Sequence, residues 1–138
     1  MLSLELHATP QEVMRAVEAL EEFCLVQQVP KKDIFGLTLA LEECGSNIVN
    51  HALNRDGQQT FRVTVERRAD QIIIELRDKG PEFDPTRREE KAAADQDLPG
   101  GWGVQLVRRY TDEFRYSRES GHNVLRLVKR LASEAAGD

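Results

Sequence analysis

Behind Pro30, apolar residues recur every three or four positions as Ile34, Leu37, Leu41, Cys44, Ile48 and Ala52. At about 100° per residue these fall on one side of a helix, which predicts a long helix from Lys31 to about Leu53 that must bury one stripe against another layer. A second stripe, Val13, Ala16, Val17, Leu20 and Cys24, precedes it and is opened by Thr9-Pro10-Gln11-Glu12. A capping Thr, Pro at the first helical position and Glu three residues after the cap form a capping box, so a first helix runs to about Val26. Elsewhere the period changes to two. Leu2, Leu4 and Leu6 alternate with polar residues, and so do Phe61, Val63 and Val65, while Ile72-Ile73-Ile74-Glu75-Leu76 predicts a more buried strand ending at Asp78. Ala69-Asp70 turns the last two into a hairpin. Toward the C-terminus a short helix around Val104–Tyr110, a strand Phe114–Arg118 and a last strand Asn123–Leu131 are expected. The chain therefore has to pack helices on a sheet.

With 138 residues, this is enough for one domain with its own core, expected over residues 1–132, with 133–138 as a frayed tail. Cys24 and Cys44 have no second pair to make a metal site, so they are expected as reduced, buried thiols. Twenty-four acidic against 19 basic side chains leave a net charge of −5, which argues against nucleic-acid binding, since neutralising phosphates takes a basic surface. The short pairs Arg67-Arg68, Arg87-Arg88 and Arg108-Arg109 fit solvated faces. No apolar run could span a bilayer, and Met1-Leu2-Ser3-Leu4-Glu5-Leu6 has no leader pattern, so a cytoplasmic protein is expected. One long stretch, from Lys79 to Gly101, shows no periodicity and carries the run Thr86-Arg87-Arg88-Glu89-Glu90-Lys91. A loop of that length inside a compact domain suggests a lid.

Several familiar sites are missing. There is no GxxxxGK[ST], no complete dinucleotide fingerprint around Gly101-Trp102-Gly103, no HExxH and no GxSxG. What remains lies first on the second helix. Glu43, Asn47 and His51, four residues apart, form one ridge along the flank of its apolar stripe, at the edge of the core where a cleft wall would run. A carboxylate there can accept a proton from a hydroxyl or water, and an amide oxygen one turn on can ligate a hard cation such as Mg²⁺. Taken alone, the same pair reads far more readily as an ordinary surface Glu and an Asn bonding its neighbours. The second constellation is Asp78-Lys79-Gly80-Pro81-Glu82-Phe83-Asp84-Pro85, where an Asp ending a strand and a following Gly suit bonding to the edge of a ring, or simply make a turn. The third is Gly100-Gly101-Trp102-Gly103 opening a helix, which suits a phosphate at exposed backbone N–H groups, or a hinge.

Together and in this order the three motifs resemble the N, G1 and G2 boxes of the GHKL (Bergerat-fold) ATPases. The run Gly101-Trp102-Gly103-Val104-Gln105-Leu106-Val107 through Asp112-Glu113, then Gly121-His122-Asn123-Val124-Leu125-Arg126-Leu127-Val128-Lys129, is similar to the RsbW-type anti-sigma-factor serine kinases. This resemblance covers nearly the whole chain, from the first strand to Lys129. It implies an α/β two-layer sandwich, a mixed sheet covered on one face by helices, with nucleotide between the helices and a lid spanning about residues 84–100. It implies further that Glu43 is the general base, that Asn47 ligates Mg²⁺, and that Asp78 bonds the adenine amino group with Gly80 giving the ring room. Gly101 and Gly103 would cradle the phosphates of ATP, with Val104 beside them in the nucleotide-binding set. Trp102 and Val128 depart from the pattern of many relatives, Val128 standing where many carry a Thr that helps to bind adenine. Such a protein phosphorylates a serine or threonine on a STAS-domain antagonist, holds a sigma factor in alternation, and forms a homodimer, for which the exposed edge of the Leu2–Leu6 strand is one place. An ATPase of the same fold and a non-catalytic, nucleotide-gated binding module remain as alternatives.

Overall fold

The computed structural model describes residues 1–87 and 103–131. The chain runs β1 (Leu2–His7), α1 (Pro10–Val26), α2 (Lys31–Asn47) continuing into a π-helical turn (Ile48–Ala52), β2 (Thr60–Arg68), β3 (Gln71–Asp78), a 3-10 turn (Pro85–Arg87), α3 (Gly103–Tyr110), β4 (Glu113–Glu119) and β5 (His122–Arg130).

The capping box forms with one variation. The Glu12 N–H donates to Thr9 Oγ1 at 3.2 Å, but the Glu12 carboxylate accepts from the N–H of His7 at 3.2 Å. The usual reciprocal donor, the Thr9 N–H, is already spent on the His7 carbonyl. At its other end α1 closes with crossed bonds, Val29 N–H to Cys24 O and Gln28 N–H to Leu25 O, around Gln28 at φ 59°. This is a Schellman motif, with Val29 folded back into the core and Pro30 preventing further helix. The four-residue connection so fixed sends α2 back across the sheet.

Five strands make one sheet in the order β1-β2-β3-β5-β4. The two-layer sandwich is as expected. The sheet is not mixed, however, because every neighbouring pair is antiparallel. The crossover from β3 through α3 delivers β4 in the same direction as β3 but one place further out. The β4–β5 hairpin then returns β5 into the gap, so no two parallel strands ever touch. Alternation along the strands sends Leu6, Val63, Val65, Ile72, Ile74, Leu76, Leu125 and Leu127 inward, all of them buried. The whole α2 stripe, Ile34, Leu37, Leu41, Cys44, Ile48 and Ala52, is buried against them. Burying a Leu or Ile side chain contributes about 1.5–3 kcal/mol each, so this interface carries most of the fold's stabilisation. Among the described residues no helix is long and apolar enough to cross a membrane.

Candidate functional site

The last turn of α2 and the π-helical turn after it lie against the start of α3 on one side and against the loop that follows β3 on the other. Inserting one residue per turn at Ile48–Ala52 lets the helix end with the Ala52 carbonyl facing Gly80. A Cβ on Gly80 would lie 2.6 Å from that carbonyl oxygen and 2.9 Å from Asp78 Oδ1. Only glycine fits between the helix end and the strand end.

Asp78 closes β3 and is 3% exposed. Its Oδ1 accepts from the Gly80 N–H at 2.8 Å and from Asn123 Nδ2 at 3.0 Å, whereas Oδ2 takes no hydrogen bond among the described residues. A buried carboxylate with one oxygen saturated and the other open can accept one donor from a ligand. The loop beyond it is held at Phe83, whose ring stacks on His51 with centroids 5.5 Å apart. His51 thus packs at the helix end, outside the ridge expected for it, because the π-helical turn has broken the four-residue repeat after Asn47.

Asn47 is 8% exposed, and its side chain makes no hydrogen bond among the described residues. Four residues earlier, Glu43 is half-buried and likewise takes neither a hydrogen bond nor an ion pair among the described residues. Burial, and secondly the charge of the adjacent Glu42, push its carboxyl above the ordinary glutamate range. The first turn of α3 lies directly on this carboxylate. A Cβ on Gly103 would collide with Glu43 Oε2 and lie 3.1 Å from Cδ. Val104, next in that turn, is buried at 3% exposure. The opening N–H groups of α3 have no helical partner and sit at the positive end of the helix dipole, so a phosphate there and the Glu43 carboxylate would be neighbours.

The structure therefore sets Gly103 against Glu43, one helical turn before Asn47, and Gly80 against Asp78 and the Ala52 carbonyl at the helix end. Gly101, Trp102, most of the expected lid and the expected tail lie outside the described residues. The first four residues assigned to the lid are tied down instead. Asp84 Oδ1 accepts from the Thr86 N–H at 2.9 Å, Pro85 is buried, and Arg108 of α3 donates to the Thr86 carbonyl at 3.2 Å.

Val128 has no part in the site. The register sets it opposite Ile73, on the face of the sheet turned away from the helices. The residue opposite Asp78 is Asn123, 3% exposed and bonded to the Asp78 carboxylate. Sequence reasoning missed it. A polar residue near the start of a strand that also carries His122, Arg126, Lys129 and Arg130 is a weak signal, and only the register gives it meaning.

The residues present fit an adenine nucleotide with a hard cation. Asp78 offers one acceptor oxygen, open among the described residues, beside Gly80, and the amide of Asn47, unpaired among the described residues, stands one helical turn after Glu43. No three His, Cys, Asp or Glu side chains among the described residues gather to hold a metal, so a cation at Asn47 would draw its remaining ligands from phosphate oxygens and water.

Solved structures share this architecture. A structure of the SiaB–SiaC complex from Pseudomonas aeruginosa matches with a TM-score of 0.71 at 15% identity, covering 93% of this chain and 88% of that one. A structure of the RsbU and RsbW domains of Rv1364c from Mycobacterium tuberculosis matches with a TM-score of 0.69 at 19% identity, covering 96% of this chain and 33% of that one. Among curated proteins, the serine/threonine-protein kinase BtrW of Bordetella bronchiseptica is 29% identical over 136 residues, 96% of each chain. The family model for the histidine kinase-like ATPase domain matches residues 6–129, which takes in Glu43, Asn47, Asp78, Gly80 and Gly103. The chain belongs to the histidine kinase-like ATPase domain family, and ATP is the substrate that this membership implies.

Proposed function

We propose that this protein is an ATP- and Mg²⁺-dependent serine/threonine kinase that acts in a partner-switching system. It would phosphorylate a STAS-domain antagonist and hold a sigma factor in alternation with it, in the cytoplasm, as a single domain over residues 1–132. The observation that carries this reading is the Glu43 carboxylate, half-buried, unpaired among the described residues and pressed against the first turn of α3. The likeness to BtrW points to serine or threonine hydroxyls as acceptors, and the likeness to the SiaB–SiaC and RsbW structures supports a second protein as the bearer.

In this mechanism Asp78 Oδ2 accepts a hydrogen bond from the adenine amino group, Gly80 leaves room for the ring, and Gly103 and Val104 present backbone N–H groups to the phosphates, a role the family resemblance extends to Gly101. Asn47 would hold Mg²⁺, which would supply positive charge against the phosphates. Glu43 accepts the proton as the partner's hydroxyl oxygen forms its bond to the γ-phosphorus. The bond to the β,γ-bridging oxygen breaks and its electron pair leaves with ADP. In phosphoryl transfer the protein supplies mostly positioning and charge stabilisation, so one well-placed base and a phosphate cradle suffice.

Incubation with γ-labelled ATP, Mg²⁺ and a STAS-domain partner tests this reading. Label on a serine or threonine of the partner is expected. Label released only as inorganic phosphate would make the protein an ATPase, and intact ATP with retained partner binding would make it a nucleotide-gated binding module.

A further inference from the structure

The β4–β5 hairpin does more than complete the sheet, because three of its side chains reach the loop that follows β3. Asn123 is the centre of this contact. Its Nδ2 donates to Asp78 Oδ1 at 3.0 Å and to the Pro81 carbonyl at 2.8 Å. Its Oδ1 accepts from the Phe83 N–H at 3.1 Å, the Tyr116 hydroxyl at 2.5 Å and Arg118 Nη1 at 3.1 Å. Arg118 Nη1 also donates to the Gly80 carbonyl at 2.7 Å. The amide is thus spent on both sides, and a flip would set like against like at every contact except the Tyr116 hydroxyl, which can also accept. A residue buried to 3% exposure with this many partners has one orientation.

We infer that Asn123 and Arg118 are positioning residues for base binding: Asn123 turns the Asp78 carboxylate so that a base with an exocyclic amino donor is accepted and one with a carbonyl oxygen there is refused, and Arg118 shapes the Gly80–Phe83 loop that borders the ring. Asn123 Nδ2 and the Gly80 N–H occupy Oδ1 from two directions, which stops the carboxylate from rotating and leaves Oδ2 as the face offered to a ligand. An adenine amino group meets that oxygen as donor to acceptor. A guanine carbonyl would meet it as acceptor to acceptor, an unpaired buried contact that costs far more than a lost methylene. Arg118 acts at the other edge, holding the Gly80 carbonyl outward and with it the recess that the ring would enter. The inference rests on the proposed reading of these residues as an ATP site, and extends it to residues of the hairpin that need not touch the nucleotide.

The test is calorimetric binding of ATP and of GTP to the full chain, with Mg²⁺ present, for the parent and for Asn123→Ala, Asn123→Ser and Arg118→Ala. Melting temperatures confirm that each variant is folded. For Asn123→Ala the ATP Kd should rise about tenfold or more while GTP binding changes little, so that the ATP-over-GTP preference falls by about the same factor. Asn123→Ser, which keeps one hydroxyl donor, should fall between the two. Arg118→Ala should weaken both nucleotides about threefold and leave the preference intact. In turnover assays KM for ATP should rise with kcat at saturation unchanged, since nothing at the phosphate end has moved. A purely structural role for Asn123 would lower the melting temperature and leave the preference where it was, and that result in folded variants overturns the inference. A parent protein that binds ATP without preferring it over GTP overturns the inference alone. A parent protein that binds neither nucleotide overturns the ATP reading as well.

Discussion

Gly103→Ala separates the site's chemistry from the fold's stability. A methyl group there collides with Glu43 Oε2 and sits 3.1 Å from Glu43 Cδ, and the colliding atoms are the end of a flexible, half-exposed side chain rather than backbone. The clash is relieved when the carboxylate swings away. Its cost in stability is set against the entropy that Ala removes from the unfolded chain relative to Gly, worth about 0.4–1 kcal/mol. The net change in unfolding free energy should therefore stay within about 1 kcal/mol of zero. Catalysis has no such compensation. To reach ordinary contact the oxygen must retreat by about 1 Å, a misplacement that costs on the order of 10²-fold in rate. Removing a general base outright costs on the order of 10²–10⁴-fold, so the loss should approach that range. Thermal melts report the first quantity and initial rates of phosphoryl transfer at saturating ATP the second. A variant as active as the parent would show that the Glu43 carboxylate does not need its place against α3, and the reasoning would fail. A variant that is inactive because it is unfolded would refute the claim that the clash is cheap.

At Gly80 the neighbours are backbone and a pinned carboxylate, so Gly80→Ala should lower stability by about 1–3 kcal/mol and weaken ATP binding together, as read by denaturant titration and calorimetry. The two thiols should be silent in the native state. Burial pushes Cys24 up to about 11, and burial together with the Glu43 charge pushes Cys44 higher still, so a disulfide reagent at pH 8 should label neither until denaturant is added, and both afterwards. Gln28 holds a left-handed conformation at φ 59° in the α1 cap, and Gln28→Gly should raise stability by about 1 kcal/mol with activity unchanged, as read by melting and transfer rate.

Much of the architecture was legible because its signals are local and periodic. The α2 stripe, the capping box at Thr9–Glu12 and the hairpin through Ala69-Asp70 each state their own structure within a few residues. The antiparallel sheet was not, since nothing in β3 or β5 records that a returning hairpin fills the place between β3 and β4. The site divides in the same way. Glu43, Asn47 and Asp78 stand on elements whose ends can be read, and the structure shows Glu43 against the start of α3 and Asp78 bonded to the Gly80 N–H. Asn123 acquires its place only through the pairing of β5 with β3, a contact 45 residues distant in sequence. Val128 was misplaced for the same reason, as a register shift of an odd number of residues moves a side chain through the sheet to its other face. The π-helical turn escaped periodicity altogether, although it seats Ala52 against Gly80 and carries His51 out of line.

The central claim is that Glu43 takes the proton, and Glu43→Gln tests it most directly. Because burial raises the carboxyl in the folded state, the native protein holds that proton more tightly than the unfolded chain does. Its contribution to stability is therefore present at acid pH and lost as pH rises through the folded value, so at neutral pH the ionised group is a cost and the amide should fold at least as well. The parent's transfer rate should rise with pH through a limb displaced above the ordinary glutamate range. The measurement is single-turnover transfer from labelled ATP to a STAS-domain partner across that pH range, for parent and Glu43→Gln side by side. The account predicts unchanged ATP affinity and a loss on the order of 10²-fold or more, with the acid limb gone from whatever rate remains. A Glu43→Gln protein that transfers phosphate at the parent's rate, with the same pH dependence, would contradict it.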